Sequence, residues 1–365
     1  MRVVAKVGTS SLTDGAGRIQ THVVASLCDQ IAALRAQRHD VILVSSGAIS
    51  AGVSALGLAA RPTDVLTLQA LAAAGQPRLM NEYNTELARH DVVAAQVLLV
   101  PHDFADRRQY LHARQTLIRL LELGCVPIVN ENDTVASDEI RYGDNDRIAA
   151  LVAHNVNADV LVLLTDTPGL YTSDPRTDSS AELISNVAAL DPLFAVTAGV
   201  SGSALGSGGM ASKLWAARLA SWSGVRAVIA HAERPNVLVD AVGGLPVGTT
   251  FDPSNRRLSA RKLWIGFASQ VDGSVTVDIG AQRALVERGT SLLPAGVTAV
   301  SGEFDEGSTI EVLDTNGVVF ARGMAVSPAA VVRANAGRST RDLPERDAHE
   351  VIHRDDLVLL PRQAD

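Results

Sequence analysis

The stretch Val3-Val4-Ala5-Lys6-Val7-Gly8-Thr9-Ser10-Ser11 runs from a short apolar segment into a glycine and three hydroxyl residues. Its apolar part shows little alternation, so both faces suit burial, as in a parallel strand with helices on either side. The same texture returns at Asp40–Ser45, Val92–Val100, Val126–Asn130, Asp159–Leu164 and Arg226–Ala230. Helical patterns lie between. Residues 21–38 carry Val24, Leu27, Cys28, Ile31 and Leu34 at helical spacing. Residues 109–123 carry Leu111, Leu117, Leu120 and Leu121, and close at Gly124, a C-terminal cap. Strands alternating with helices imply right-handed βαβ crossovers. The expected fold is therefore α/β, a three-layer αβα sandwich around a mainly parallel sheet.

From Pro253 to Lys262 the chain turns polar and basic, the composition of a linker. Shorter strands follow at Ser274–Ile279, Gly296–Glu303, Ser308–Leu313 and Val318–Met324, with a small helix at Gly280–Arg288. Asp272-Gly273 and Asn316-Gly317 read as hairpin turns. Residues 333–348 read as a polar, loosely packed loop ahead of a last strand, Asp356–Leu360. The expected organisation is a first domain over 1–255, a linker over 256–273, and a small, mostly β domain over 274–360.

At 365 residues and 47% apolar content the chain supplies cores for two such domains. Its net charge of −8 argues against a general binder of nucleic acid or anionic membrane. Cys28 and Cys125 are the two cysteines, with no CxxC spacing, as for core thiols in a reducing compartment. No apolar run reaches membrane-spanning length, and the N-terminus goes directly into a strand. The expectation is a soluble, cytoplasmic protein with no membrane partner.

Several strand ends carry groups suited to anions and amines. Gly8-Thr9-Ser10 after Lys6 exposes backbone N–H groups and hydroxyls beside an ammonium, although no GxxxxGK[ST] occurs in the chain. Ser45-Ser46-Gly47 follows the second strand, which on its own is a capped helix start. Two such turns on neighbouring parallel strands point to a shared crevice. Asn130-Glu131-Asn132-Asp133-Thr134 follows the fourth strand, and Gly143-Asp144-Asn145-Asp146 opens the next helix. Carboxylates this dense at strand ends suit an amino group, Mg²⁺ or both. Thr165-Asp166 stands after the fifth strand, and the glycine-rich run from Gly202 to Lys213 enters another helix with a lysine at its end. Together these suit transfer of a phosphoryl group to a small acidic acceptor. His349-Glu350-Val351-Ile352-His353 matches HExxH but is β-branched at its centre and runs into an expected strand, so it is set aside as a zinc site.

Taken in order, Lys6-Val-Gly-Thr-Ser, Ser45-Ser-Gly-Ala-Ile, Asn130-Glu-Asn-Asp, Gly143-Asp-Asn-Asp and Gly206-Ser-Gly-Gly-Met-Ala-Ser-Lys213 resemble the glutamate 5-kinases of the amino acid kinase family. The segment from about 275 to 355 resembles a PUA domain. The resemblance implies ATP-dependent phosphorylation of the L-glutamate γ-carboxylate to L-glutamyl 5-phosphate, the first step of proline biosynthesis. It assigns catalytic roles to Lys6, Lys213 and Asp146, with Lys6 on the transferring phosphoryl group, Lys213 on the nucleotide phosphates and Asp146 orienting both. Ser46, Asp133 and Asn145 match glutamate-binding positions, with Asp144 beside them. Thr165 and Asp166, with Ser207, Gly208, Gly209, Met210, Ala211, Ser212 and Lys213, match the ATP site, to which Lys6 also belongs. Mg²⁺ is expected to arrive with the nucleotide, and no residue is assigned to a resident metal. Proline as feedback inhibitor, a glutamyl-phosphate reductase as recipient of the product, and a homo-oligomer are further implications.

Two other readings remain. A different amino acid kinase would act on aspartate, N-acetylglutamate, carbamate or UMP; the two acidic runs favour a free α-amino group over the acetylated acid or the nucleotide. An RNA-binding PUA protein is the alternative from another class. Its basic residues Arg283, Arg288 and Arg322 are interspersed with Glu303, Asp305, Glu306 and Glu311, which disfavours strong phosphate binding.

Overall fold

The computed structural model of the chain describes all residues except 101, 102, 105, 136–143, 189–208, 255–258, 270 and 361–365. The chain divides into two compact units, one built on an eight-stranded sheet and the other on a five-stranded sheet.

In the first unit β1 (Arg2–Val7) leads through the short α1 (Thr9–Leu12) to α2 (Thr21–Ala36) and β2 (Asp40–Val44). Then come α3 (Ala48–Ala55), α4 (Val65–Ala88), β3 (Ala94–Leu99), α5 (Arg107–Glu122) and β4 (Val126–Glu131). They are followed by α6 (Asp144–Asn155), β5 (Val160–Thr165), β6 (Asn186–Val187), α7 (Gly209–Trp222), β7 (Arg226–His231), α8 (Val237–Gly243) and β8 (Gly248–Phe251). Spatially the strands run β3-β4-β2-β1-β5-β7-β8-β6, parallel except where β8 pairs antiparallel with β7. All six expected strands are present, each within two residues of its expected limits. The two short strands β6 and β8 lack a long apolar run, and hydrogen bonding to neighbours defines them.

β1 is central, with Lys6 paired in register with Val44 of β2 and Leu163 of β5. Side chains alternate across a strand. Val3, Ala5 and Val7 join the core formed with α2, α4 and α8, while α6 packs on β1 and α7 on β5 to complete the third layer. Lys6 has the opposite parity, and its side chain reaches Asp146 of α6, which also holds Lys213 of α7. The parallel strands therefore end on one edge, where this topology builds its crevices.

Helix α4 contains Pro77, which removes one backbone donor from the helix interior. Its N-terminus is capped by Asp64, whose carboxylate accepts from the Thr67 N–H at 2.9 Å. α3 and α4 touch through glycines. A Cβ on Gly75 would sit 1.9 Å from Ala48 O, and one on Gly52 would sit 2.0 Å from Leu71 O. Only residues without a side chain permit this backbone contact, and it sets Gln76 of α4 beside the turn that carries Ser46.

The second unit has the strand order β10-β9-β11-β12-β13, with β9 (Val271–Val277), β10 (Val297–Gly302), β11 (Thr309–Leu313), β12 (Val319–Ala325) and β13 (Ile352–Leu359). Its core gathers Val275, Phe304, Ile310, Phe320, Val332 and Ile352 among others. Four local expectations need correction. Within the stretch read as a linker, Ala260–Leu263 is helical and continues as a π-helix over Trp264–Ala268, with Leu263 and Ile265 buried. Asp272-Gly273 is no hairpin but part of β9, where a Cβ on Gly273 would meet Phe304 Cδ1 at 2.6 Å and Ser301 O at 2.7 Å. The glycine there makes room for an aromatic ring, a tertiary demand that imitates a turn signal. The supposed loose loop begins inside a helix, Ala329–Asn335, whose Val332 is buried, and Leu343 is buried further on. The last strand starts at Ile352, so the HExxH match straddles a strand entrance and is not helical. Asn316-Gly317 does form the turn between β11 and β12, with Gly317 at φ +81° and Asp314 accepting from the N–H groups of Asn316 and Val318.

Candidate active site

At the C-terminal edge of β1 three charged side chains meet in the protein interior. Asp146 stands in the first turn of α6, where a carboxylate is favoured by the helix dipole, and it is 1% exposed. Lys6 Nζ reaches its Oδ1 at 2.6 Å, and Lys213 Nζ reaches its Oδ2 at 3.2 Å. Ser212 Oγ donates to the same Oδ2 at 2.7 Å. Lys213 comes from the second turn of α7 and folds back to donate to Gly209 O at 3.1 Å. The strand end and the two helix starts each supply one member.

Burial pushes the Lys6 ammonium below its ordinary pKa. The Asp146 carboxylate opposes that fall and Lys213 adds to it. For Asp146 burial pushes upward, but Lys6, Lys213 and the hydrogen bonds from Lys6 and Ser212 outweigh it and hold the carboxyl below its ordinary value. Two ammonium groups against one carboxylate leave a surplus positive charge where water is scarce. Such an arrangement attracts a polyphosphate and stabilises charge that builds up during transfer.

One residue earlier in α6 the chemistry is neutral. Asn145 Nδ2 donates to Ser46 Oγ at 2.9 Å and to Asn130 Oδ1 at 3.2 Å. Asn130 Nδ2 donates to Gln76 Oε1 at 2.8 Å, and Gln76 Nε2 donates to Gln96 Oε1 at 3.0 Å. Ser45, next to Ser46, shares a 2.8 Å hydrogen bond with the buried Tyr83 hydroxyl, which ties the turn to α4.

The residues expected from the sequence are thus distributed unevenly. Lys6, Asp146, Ser212 and Lys213 converge, and Ser46 and Asn145 converge beside them. Gly209, Met210 and Ala211 form the start of α7, while Ser207 and Gly208 lie outside the described residues. Asp144 is the first residue of α6, and Asp133 is half-buried in the turn after β4. Thr165 ends β5, the strand paired with β1, and donates to Asp166 Oδ1 at 3.0 Å. Gln76, Gln96 and Tyr83 belong to the surroundings of the site and carry no sequence signal, because each reads as an ordinary residue of a helix or strand. Each Asp146 oxygen faces one ammonium group. Among the described residues no helix is long and apolar enough to cross a membrane. Cys28 is buried, and burial pushes its thiol up to about 12, whereas Cys125 is half-buried; neither forms a disulfide.

Residues 1–231 match the family model described as the amino acid kinase family, and residues 273–343 match the PUA domain. The chain is 47% identical over 356 residues to the glutamate 5-kinase of Mycolicibacterium vanbaalenii, covering 98% of this chain and 96% of that protein. To the glutamate 5-kinase of Myxococcus xanthus it is 45% identical over 363 residues, with the same coverage. To that of Herpetosiphon aurantiacus it is 46% identical over 362 residues, covering 98% of each.

Proposed function

The chain belongs to the amino acid kinase family, and we propose that it transfers the γ-phosphoryl group of ATP to the γ-carboxylate of L-glutamate. The product is L-glutamyl 5-phosphate, and the reaction opens the route to proline. The observation that carries this reading is the convergence of Lys6 and Lys213 on the buried Asp146, beside an uncharged Ser46–Asn145 pair. Near-full-length identity to glutamate 5-kinases supplies the substrate.

The acceptor carboxylate has an ordinary pKa of about 4.3 and is ionised at neutral pH, so no strong general base is needed. One of its oxygens attacks the γ-phosphorus, the bond from phosphorus to the bridging oxygen of ADP breaks, and the negative charge ends on ADP. The protein's share is positioning and charge neutralisation. Lys6 meets the phosphoryl group in transit, and Lys213 meets the phosphates of the nucleotide. Asp146 holds both ammonium groups at the distances they need and keeps their mutual repulsion in check. Thr165, Asp166 and the start of α7 bind the remainder of ATP. Asp133, Asp144, Ser46 and Asn145 bind glutamate. Mg²⁺ arriving with the nucleotide would add to the neutralisation of phosphate charge.

Cytoplasmic ATP and glutamate fit this reaction, with proline competing near the acceptor site and a reductase consuming the acyl phosphate. The test is a panel of acceptors with ATP and Mg²⁺: glutamate, aspartate, N-acetylglutamate, carbamate and UMP. Trapping by hydroxylamine identifies an acyl phosphate. The expected result is a hydroxamate from glutamate alone; turnover with another acceptor in its place overturns the proposal.

A further inference from the structure

The direction of every hydrogen bond in the carboxamide network follows from one fixed point. A backbone N–H can only donate, and that of Glu131 lies 2.9 Å from Asn130 Oδ1. Asn130 Oδ1 is therefore an acceptor, and its Nδ2 is the donor that meets Gln76 Oε1. Gln76 must then turn its Nε2 to Gln96, which is exposed and can present either end of its amide. In the other direction, whatever Asn145 offers to Asn130 Oδ1 must be a donor, so Nδ2 faces inward and is shared with Ser46 Oγ. Two groups are left over. Asn145 Oδ1 is a buried acceptor without a partner among the described residues. Ser46 Oγ has accepted a hydrogen bond and keeps its own hydrogen to donate.

An acceptor and a hydroxyl donor side by side are the complement of a small zwitterion, with its ammonium on Asn145 Oδ1 and a carboxylate on Ser46. A buried acceptor left empty costs free energy that an incoming N–H recovers. We infer that Gln76, 54 residues before Asn130 in the chain, is a positioning residue for the acceptor substrate. By accepting from Asn130 Nδ2 it works with the Glu131 N–H, which holds the other end of the same amide, to keep the Asn130 and Asn145 amides in this orientation and an oxygen where the substrate ammonium arrives. The inference rests on the reading of glutamate as acceptor and adds the residue that sets preference for its amino group.

The experiment compares Gln76→Met and Gln76→Glu, with glutamate and its deamino analogue glutarate, by calorimetric binding and by steady-state kinetics. Methionine keeps the length and bulk of glutamine but offers no strong acceptor. Glutamate keeps the acceptor toward Asn130, and the exposed Gln96 amide can turn to serve it. Gln76→Met is expected to weaken glutamate binding about tenfold and to narrow the preference over glutarate by the same factor, leaving the KM for ATP unchanged. Gln76→Glu is expected to hold the preference within about twofold of wild type. An unchanged preference in Gln76→Met overturns the inference. So does equal impairment in both variants with a raised KM for ATP, since that is what a packing role produces. A wild-type chain that prefers glutamate in binding but does not phosphorylate it overturns the proposed function instead.

Discussion

On one side of the Asn145–Asp146 peptide lie two ammonium groups and a hydroxyl; on the other lie a hydroxyl and a file of carboxamides reaching Gln96. The charged half carries an excess positive charge and is nearly closed to water. The neutral half contains no ion pair among its described members. Charges in a poorly screened interior act over several ångströms, whereas a carboxamide acts only along its own hydrogen bonds. The charged half is thus suited to lowering a barrier to phosphoryl transfer. The neutral half can recognise an acid by its pattern of donors and acceptors without disturbing the field that the lysines create. In the proposed reading, successive residues of one helix separate rate from recognition.

The largest expected effect comes from removing the carboxylate that joins the two lysines. Asp146→Asn leaves two buried ammonium groups facing each other, and kcat is expected to fall ~1000-fold with a loss of stability. Steady-state kinetics and denaturant unfolding check both, and a kcat within tenfold of wild type would break the contrast between the halves. Next in size, Lys6→Ala and Lys213→Ala should each lower kcat ~100-fold with little change in the KM for glutamate. A change confined to KM would move that lysine to the recognition side. Conversely, Asn145→Ala and Asp133→Ala should raise the KM for glutamate roughly tenfold or more while sparing ATP. An effect on ATP alone would dissolve the division.

Two smaller effects sharpen it. Gly75→Ala forces a Cβ to within 1.9 Å of Ala48 O, so α3 and α4 must part. A stability loss of about 1–3 kcal/mol is expected in urea unfolding, with the KM for glutamate rising more than that for ATP. The pH profile addresses the charged half alone. Lys6 must be protonated to meet phosphate, and burial sets its pKa below the ordinary 10.5, so kcat should decline as pH rises through a value lower than that. Asp146 is the group that raises the Lys6 pKa against burial, so in Asp146→Asn this alkaline limb should move to lower pH. The acid side has its own sign. The folded Asp146 carboxyl binds a proton more weakly than the unfolded one, whose pKa is near 3.8. Its contribution is therefore complete above that pH and is lost as pH falls below it through the lowered folded value. Unfolding of wild type and Asp146→Asn followed from about pH 5 downward should show this loss in the wild type only.

Much of the first unit was readable beforehand because buried parallel strands leave uninterrupted Val, Ile and Leu runs, as in Val160–Thr165. The residues of the lysine cluster were also visible one by one, each at a strand exit or helix start. Elsewhere a local signal is set by a distant group. Gly273 resembles a turn residue but makes space for Phe304. Arg322, counted as a basic residue of the tail, is paired with Glu311 at 2.7 Å.

The sequence by itself determined the order of strands and helices, the loops that carry charge, and the family to which the chain belongs. These depend on hydrophobic period and on short motifs, both of which are local. Tertiary structure alone decided that Lys6 and Lys213 share one carboxylate, and that Asn145 turns its nitrogen inward to Ser46 and Asn130. Asn145 lies 99 residues from Ser46, and Asn130 lies 54 from Gln76. No periodicity spans such gaps; the sheet order and the glycine contact between α3 and α4 bring those groups within hydrogen-bonding distance.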